Sequence, residues 1–216
     1  MMNKLHLMNC MEGMKQFPDN YFELAIVDPP YGIRYDELQN KIAGSKRSQN
    51  GGTWKEYKKT KWDRSIPDGK YFDELFRVSE NQIIWGGNYF IEHLKNTKCF
   101  LLWDKIQRDN RSDGEIAWTS FDRPLKVFRY SRADAYINQC DIKIHPTQKP
   151  VQLYRWLLQN YAKKGDKILD THVGSGSSLI ACIEEGFQYC GFEIDKDYYN
   201  SAQKRIEEIK AQGKLF

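Results

Sequence analysis

Residues 24–31 read Leu24-Ala25-Ile26-Val27-Asp28-Pro29-Pro30-Tyr31. The first four form a short unbroken apolar run, the composition of a strand buried on both faces of a parallel sheet. Asp28 follows at once, so its carboxylate stands at the carboxyl end of that strand, where open α/β sheets place their ligands. Pro29 and Pro30 fix their own φ angles, and each pushes its predecessor out of the helical region. The segment is expected to be a stiff extended loop. It offers a carboxylate acceptor, a carbonyl with no N–H donor beside it, and the face of the Tyr31 ring. Such a set suits a planar ring that carries an amino group. The structural alternative is a strand ended by a proline turn, with Tyr31 packed on the core.

Outward from this stretch, residues 4–8 read as a strand and 11–17 as a helical turn. Residues 68–80 carry Phe72, Leu75, Phe76 and Val78 at helical spacing. Strands are expected at 82–85 and 99–103, and residues 116–121 with 125–130 suggest a hairpin around Asp122-Arg123-Pro124. The last third is the most regular. Val151, Tyr154, Leu157, Leu158 and Tyr161 mark one helix face, and Lys163-Lys164-Gly165 ends it in the usual order. A strand at 167–170, an apolar helix at 179–185 stopped by Gly186, and a strand at 188–194 follow. Asp195 can cap a final helix that turns Tyr199, Ala202, Ile206 and Ile209 inward. Strands alternating with helices imply an α/β sheet with a mainly parallel core.

A second constellation lies in this third. Asp170-Thr171-His172-Val173-Gly174-Ser175-Gly176-Ser177 joins a strand to a helix, where Gly174 and Gly176 permit positive φ and the helix start offers free N–H groups. Leu179 stands where a dinucleotide fingerprint wants a third glycine. Glu193 ends the following strand, where an acidic side chain accepts hydrogen bonds from ribose hydroxyls. One nucleoside and no pyrophosphate fit this pattern better than NAD, which points to an adenosyl cofactor. A third element, His145-Pro146-Thr147-Gln148-Lys149-Pro150, reads by itself as a rigid turn into the next helix.

Composition bounds the rest. The chain has 216 residues with 40% hydrophobic and 14% aromatic side chains, which suits one domain over residues 1–216. No apolar run reaches spanning length and residues 1–10 lack a signal-peptide core, so a cytoplasmic location is expected. Five scattered cysteines and four histidines form no ligand-like spacing, so neither a disulfide framework nor a metal is expected. The net charge is +4, and it is uneven. Within a basic loop at 32–67, Lys46, Arg47, Lys55, Lys58 and Lys59 are interleaved with Trp54, a pattern that suits phosphate contact and base stacking.

Taken together, the three motifs resemble the amino-methyltransferases that modify DNA bases with S-adenosylmethionine. The Asp-Pro-Pro-Tyr form is similar to the N6-adenine branch; N4-cytosine enzymes more often begin it with Ser or Thr. The order, with Asp28 ahead of Gly174 and the His145 element between, is similar to the circularly permuted β group. Trp85-Gly86-Gly87-Asn88, Trp103-Asp104-Lys105 and Glu115-Ile116-Ala117-Trp118 also look like family segments. The resemblance implies a Rossmann-like methyltransferase fold with a seven-stranded, mainly parallel sheet and one antiparallel strand. It implies catalysis by Asp28, Pro29, Pro30 and Tyr31 on a flipped adenine in double-stranded DNA. It implies cofactor contacts from Asn9, Cys10, Asp28, His145, Lys149, Asp170, His172, Gly174, Ser175, Gly176, Ser177 and Glu193. Asn9 stands where Asp is usual, and Thr171-His172-Val173 replaces the commoner Pro-Phe. Only residues 131–144 remain for a target-recognition segment. The expected partners are DNA and either a second copy or a cognate restriction enzyme. The competing readings are an N4-cytosine or RNA amino-methyltransferase, and a catalytically silent nucleic-acid-binding subunit on the same fold.

Overall fold

The computed structural model describes residues 1–34, 63–106, 112–131, 144–145 and 147–212. In chain order the strands are β1 (Lys4–Leu7), β2 (Phe22–Val27), β3 (Ser79–Trp85), β4 (Phe100–Asp104), β5 (Gly114–Thr119), β6 (Lys126–Arg129), β7 (Lys167–Asp170) and β8 (Gln188–Glu193). The helices are α1 (Cys10–Met14), α2 (Gly69–Val78), α3 (Val151–Tyr161), α4 (Ser177–Glu184) and α5 (Lys196–Gln212). Among the described residues all eight strands form one sheet, in the order β1-β8-β7-β2-β3-β5-β4-β6.

Apolar alternation explains the layers. Leu24 and Ile26 of β2, with Ile83 and Trp85 of β3, pack under Leu153, Leu157 and Leu158 of α3 and Leu179 and Ile180 of α4. Ala25, Val27 and Ile84 face the other way, onto Phe72, Leu75 and Val78 of α2 and Met14 of α1. The central strands are thus buried on both faces, which is why they read as unbroken apolar runs. Asp68 caps α2 by accepting from the Tyr71 N–H at 3.2 Å. Asp195 caps α5 as the sequence suggests, accepting from Asp197 N–H at 2.8 Å and Tyr198 N–H at 3.1 Å.

The α/β class agrees with expectation, as does β5 as the single antiparallel strand among the described residues. Two details differ. Among the described residues the sheet has eight strands where the family resemblance implies seven, the eighth being the short edge strand β6. Strands β5 and β6 do not pair with each other. Strand β4 lies between them, antiparallel to β5 and parallel to β6. The chain does reverse at Asp122-Arg123-Pro124, but apolar β4, with Leu101 and Trp103 buried, takes the inner position and leaves the more polar β6 on the edge.

The sheet order fixes where a ligand goes. From β7 the chain winds to β8 on one side, and from β2 to β3 on the other, so winding reverses between the paired strands β7 and β2. That junction is latched at its start, where Lys167 Nζ meets Glu23 Oε1 at 2.8 Å and the Lys167 N–H donates to Glu23 Oε2 at 2.7 Å. A crevice outside the carboxyl ends of strands at such a reversal is the usual ligand site of open α/β sheets. No helix among the described residues is long and apolar enough to cross a membrane.

Candidate active site

A cavity of about 410 Å³ opens at that reversal, within the roughly 300–1,000 Å³ usual for small-molecule sites. Its wall brings together Asp28, Pro29, Pro30 and Tyr31 after β2, Lys149 and His145 before α3, His172, Gly174 and Ser175 after β7, and Glu193 at the end of β8. Residues that the sequence separates by more than a hundred positions therefore share one space.

Around Asp28 the chemistry is ionic. Lys149 Nζ lies 2.5 Å from Asp28 Oδ2 and 3.0 Å from Glu115 Oε2. Lys105 Nζ meets the other Glu115 oxygen, Oε1, at 2.6 Å. The Tyr31 hydroxyl donates to Asp28 Oδ1 at 2.6 Å and accepts from Lys149 at 3.2 Å. Charges therefore alternate along Asp28, Lys149, Glu115 and Lys105, two anions and two cations. Burial raises the Asp28 carboxyl above its ordinary range, against the pull of Lys149. Burial also acts to raise Glu115, but the Lys149 and Lys105 ammonium groups outweigh it and hold that carboxyl at about 2. Lys149 is raised despite its burial, because Asp28 and Glu115 both favour the charged form. Gly86 is needed here. It has φ 70°, and a Cβ at that position would sit 2.2 Å from the Tyr31 ring.

The glycine loop forms the other part of the wall. The Gly174 N–H donates to Glu193 Oε2 and the Asp195 N–H to Glu193 Oε1, both at 2.8 Å. One carboxylate thus ties the loop after β7 to the loop after β8, and the Ile194 N–H also bonds to it. Burial raises the Glu193 carboxyl. The His145 ring covers Gly174 and packs on Tyr198 with centroids 4.3 Å apart. Gly176 caps α4 at φ 84°, and Arg205 Nη1 of α5 donates to the Ser175 carbonyl at 2.6 Å. His172 Nδ1 meets Thr171 Oγ1 at 2.9 Å, and that hydroxyl meets the Tyr71 hydroxyl at 2.7 Å. Burial lowers the His172 imidazole to about 4, so it is uncharged at neutral pH.

Not every expected residue reaches the cavity wall. Asn9, Cys10, Asp170, Gly176 and Ser177 are absent from it. The Asn9 side chain accepts from the Met11 N–H at 2.8 Å and caps α1. Asp170 is buried behind the loop, accepting from Ser178 Oγ and from the His172 N–H. Lys46, Arg47, Trp54, Lys55, Lys58 and Lys59 lie outside the described residues, as do 132–143 of the short recognition segment. Asp63 ties the described ends of the basic loop together: its Oδ1 accepts from the Gly32 N–H at 2.8 Å and its carbonyl from the Arg34 N–H at 2.9 Å. Among the described residues no group of three His, Cys, Asp or Glu side chains could hold a metal ion. Glu115, Lys105 and Tyr89 join the wall without having been singled out as site residues. The available sign was an acidic and a basic residue at the edges of two apolar strands.

Burial pushes the Asp170 carboxyl up to about 7, with Ser178 and the His172 N–H pulling the other way. A carboxyl raised on folding makes the native state bind its proton more tightly than the unfolded chain does. Its contribution is complete below the unfolded value near 4 and is lost as pH rises through about 7. Asp170→Asn keeps the shape without the ionisation. Its melting temperature relative to the native chain should therefore improve on going from about pH 5 to about pH 8. Parallel melting curves for the two proteins across that range would refute this assignment.

Comparisons with known proteins bear on what the cavity is for. Residues 53–204 match a family model described as DNA methylase. Among curated proteins, the type II methyltransferase M.HpaI of Haemophilus parainfluenzae is 24% identical over 92% of this chain and 72% of its own length. The putative methylase YubD of Escherichia coli K12 is 22% identical over 94% of this chain and 89% of its own. Among solved structures, the putative DNA modification methylase TTHA0409 of Thermus thermophilus, complexed with S-adenosyl-L-methionine, superposes with a TM-score of 0.58 at 15% identity, covering 95% of this chain and 93% of that one. PvuII DNA methyltransferase, described as cytosine-N4-specific, gives 0.58 at 13% identity over 95% and 90% of the two chains.

Proposed function

The chain belongs to the N6/N4 DNA methylase family, and from that premise we propose that it transfers a methyl group from S-adenosylmethionine to the exocyclic N6 of an adenine flipped out of DNA. The observation that carries this reading is the single cavity shared by the Asp28–Tyr31 loop and the Gly174–Glu193 wall. The aspartate that opens the Asp-Pro-Pro-Tyr tetrapeptide favours adenine over cytosine as the target.

The residues suit the cofactor. Gly174 (φ 53°) lines the cavity in a left-handed conformation that side chains rarely adopt, and Glu193 presents a carboxylate acceptor for ribose hydroxyls. His145, His172 and Ser175 would flank it. When bound, S-adenosylmethionine supplies an electrophilic methyl group on a sulfonium. The work left to the protein is to prepare a poor nucleophile, because the lone pair of an adenine amino group is delocalised into its ring. Asp28 and the Pro29 carbonyl each accept one N–H, which turns the lone pair out of the ring plane. The Tyr31 hydroxyl and Lys149 hold the Asp28 carboxylate in one orientation while it does so. Rate enhancement then comes from positioning and from preorganised acceptors. Asp28 needs no great basicity, since the nitrogen becomes acidic only as the methyl arrives.

Tyr31 serves twice, as a ring for the extracted base and as a donor to Asp28. Tyr31→Phe should lower methyl transfer by about 3- to 10-fold through loss of one hydrogen bond. Tyr31→Ala also removes the stacking surface, a contribution of about 1–3 kcal/mol per base, and should cost roughly 10- to 100-fold more. Equal losses in the two variants would argue against stacking.

The function is tested by expressing the chain in cells free of DNA methylation and sequencing the modified bases. N6-methyladenine at a defined site is the expected result. N4-methylcytosine would move the target to the other base of the family. Cofactor binding with no mark on DNA would overturn the reading in favour of RNA or of a silent binding subunit.

A further inference from the structure

Thr171-His172 stands where the commoner family form has Pro-Phe, so the chemistry of these two side chains is this chain's own. With Tyr71 of α2 they form a line. The Tyr71 hydroxyl meets Thr171 Oγ1 at 2.7 Å, and that oxygen meets His172 Nδ1 at 2.9 Å. Tyr71 and Thr171 are 3% and 2% exposed, and among the described residues neither hydroxyl has another partner. The imidazole is uncharged at neutral pH, so the line carries three hydrogens, one on each hydroxyl and one on the ring. Its two links take two of them. With the ring hydrogen on Nδ1, one of the three would be buried without an acceptor, at the full desolvation cost of that group. With it on Nε2, Tyr71 donates to Thr171, Thr171 donates to Nδ1, and both links are filled. The Tyr71 ring also meets the imidazole edge-on, with centroids 5.4 Å apart.

The third hydrogen makes Nε2 a fixed donor on a residue of the cavity wall. Nε2 is not sealed in, because the buried side-chain polar atoms without a partner among the described residues are Trp85 Nε1 and Tyr189 Oη. His172 follows β7, which pairs with β8, ending at Glu193, and with β2, leading into Asp28. It therefore lies between the carboxylate suited to the ribose and the one beside the site of methyl transfer. The methionyl tail of S-adenosylmethionine branches from the same sulfur as the methyl group, and its carboxylate is the only anion of the cofactor. Lys149 is already engaged. Its side chain is 2% exposed, and its three N–H groups meet Asp28, Glu115 and the Tyr31 hydroxyl. Resting on the methyltransferase reading, we propose that His172 Nε2–H donates to the methionyl carboxylate, and that Thr171, oriented by Tyr71, is the positioning residue that holds the imidazole in the donating tautomer. An uncharged donor suits the place, since a cation there would repel the sulfonium and the ammonium of the same molecule.

Calorimetry with S-adenosylmethionine and with its decarboxylated form tests the contact, since the two probes differ only in the carboxylate. The native chain should prefer S-adenosylmethionine by about 10- to 100-fold, as expected of a hydrogen bond to a charged group. His172→Phe keeps a ring and removes the donor. It should erase most of that preference by weakening S-adenosylmethionine alone, with affinity for the decarboxylated form staying within about 2-fold. Nitrogen-15 NMR of the cofactor-free native chain gives a readout apart from binding: His172 should show a bare Nδ1 and a protonated Nε2. The double variant Tyr71→Phe/Thr171→Val removes both hydroxyls and leaves neither orphaned. It should show a mixture of the two tautomers and a preference lowered by about 2- to 5-fold, while Thr171→Ser retains the native signature. A protonated Nδ1 in the native chain would overturn the proposal, as would equal weakening of both cofactor forms by His172→Phe. An unmixed native tautomer in the double variant would remove Thr171 from the positioning role. If the native chain binds neither cofactor form, the methyltransferase reading fails first, whatever the tautomer of His172.

Discussion

Asp28→Ala should lower methyl transfer by about 1,000-fold or more, since removing a single preorganised group at a reacting centre commonly costs 100- to 1,000-fold. Here the lost group also organises its neighbours. The carboxylate accepts from Tyr31 at 2.6 Å and from Lys149 at 2.5 Å, so the substitution releases the aromatic ring and the ammonium together. The fold should survive. Lys149 keeps Glu115 at 3.0 Å, so no buried cation is left without an anion. Cofactor affinity should also survive, because the Glu193 and Gly174 contacts lie in loops that Asp28 does not touch through a hydrogen bond. A labelled-methyl assay alongside calorimetry separates these effects. Full transfer by the variant would sink the mechanism, and loss of cofactor binding would move Asp28 from the base to the cofactor.

Lys149→Met should have the second largest effect, and on stability as well as rate. The substitution nearly keeps the length and apolar stem but withdraws the cation that Asp28 and Glu115 share. Breaking a buried ionic contact on one side costs on the order of 3–5 kcal/mol, which corresponds to a fall in melting temperature of roughly 6–20 °C for a chain of this size. The pH dependence has a definite sign. Burial already raises Asp28, and Lys149 is the main influence lowering it. Without that cation the folded-state value rises further above the unfolded one. The variant then gains stability from protonated Asp28 at low pH and loses it as pH rises through the folded value. Its deficit against the native chain should be smaller near pH 5 than near pH 8. Glu115, held at about 2 by Lys149 and Lys105, moves in the same direction when one cation is lost. An equal deficit at both pH values would mean that the Lys149 charge is not what the two carboxylates depend on. Calorimetry settles a further point: a selective loss of cofactor affinity would place Lys149 at the cofactor instead, as the family resemblance alone suggests.

Much of this site is legible in the chain because it is built at strand ends. Where an apolar run meets Asp28, or Asp170 and Gly174, or Glu193, burial and chemistry change within two or three residues, and a local pattern is enough. The Asp195 cap and the inward face of α5 are legible for the same reason. The hairpin expected of residues 116–130 shows the limit. A reversal is a local event and was visible at Asp122-Arg123-Pro124, but which strand lies beside which is a competition among all strands for buried positions, and β4 wins the place next to β5.

The role of Lys149 shows the same limit more sharply. In the sequence it belongs to a turn before a helix, and nothing nearby names its partner, Asp28, which is 121 residues away. Glu115 and Lys105 are harder still, because each reads as an ordinary polar residue at the margin of a strand. By itself the sequence determined the α/β class, the two strand-end loops that face each other, and the kind of ligands those loops suit. Only the tertiary structure decided that an antiparallel strand delivers a second carboxylate to the same edge, and that one buried ammonium joins it to Asp28. The physical reason is that residue type and spacing encode contacts along a chain, whereas charge pairing in a buried space depends on which strand ends converge.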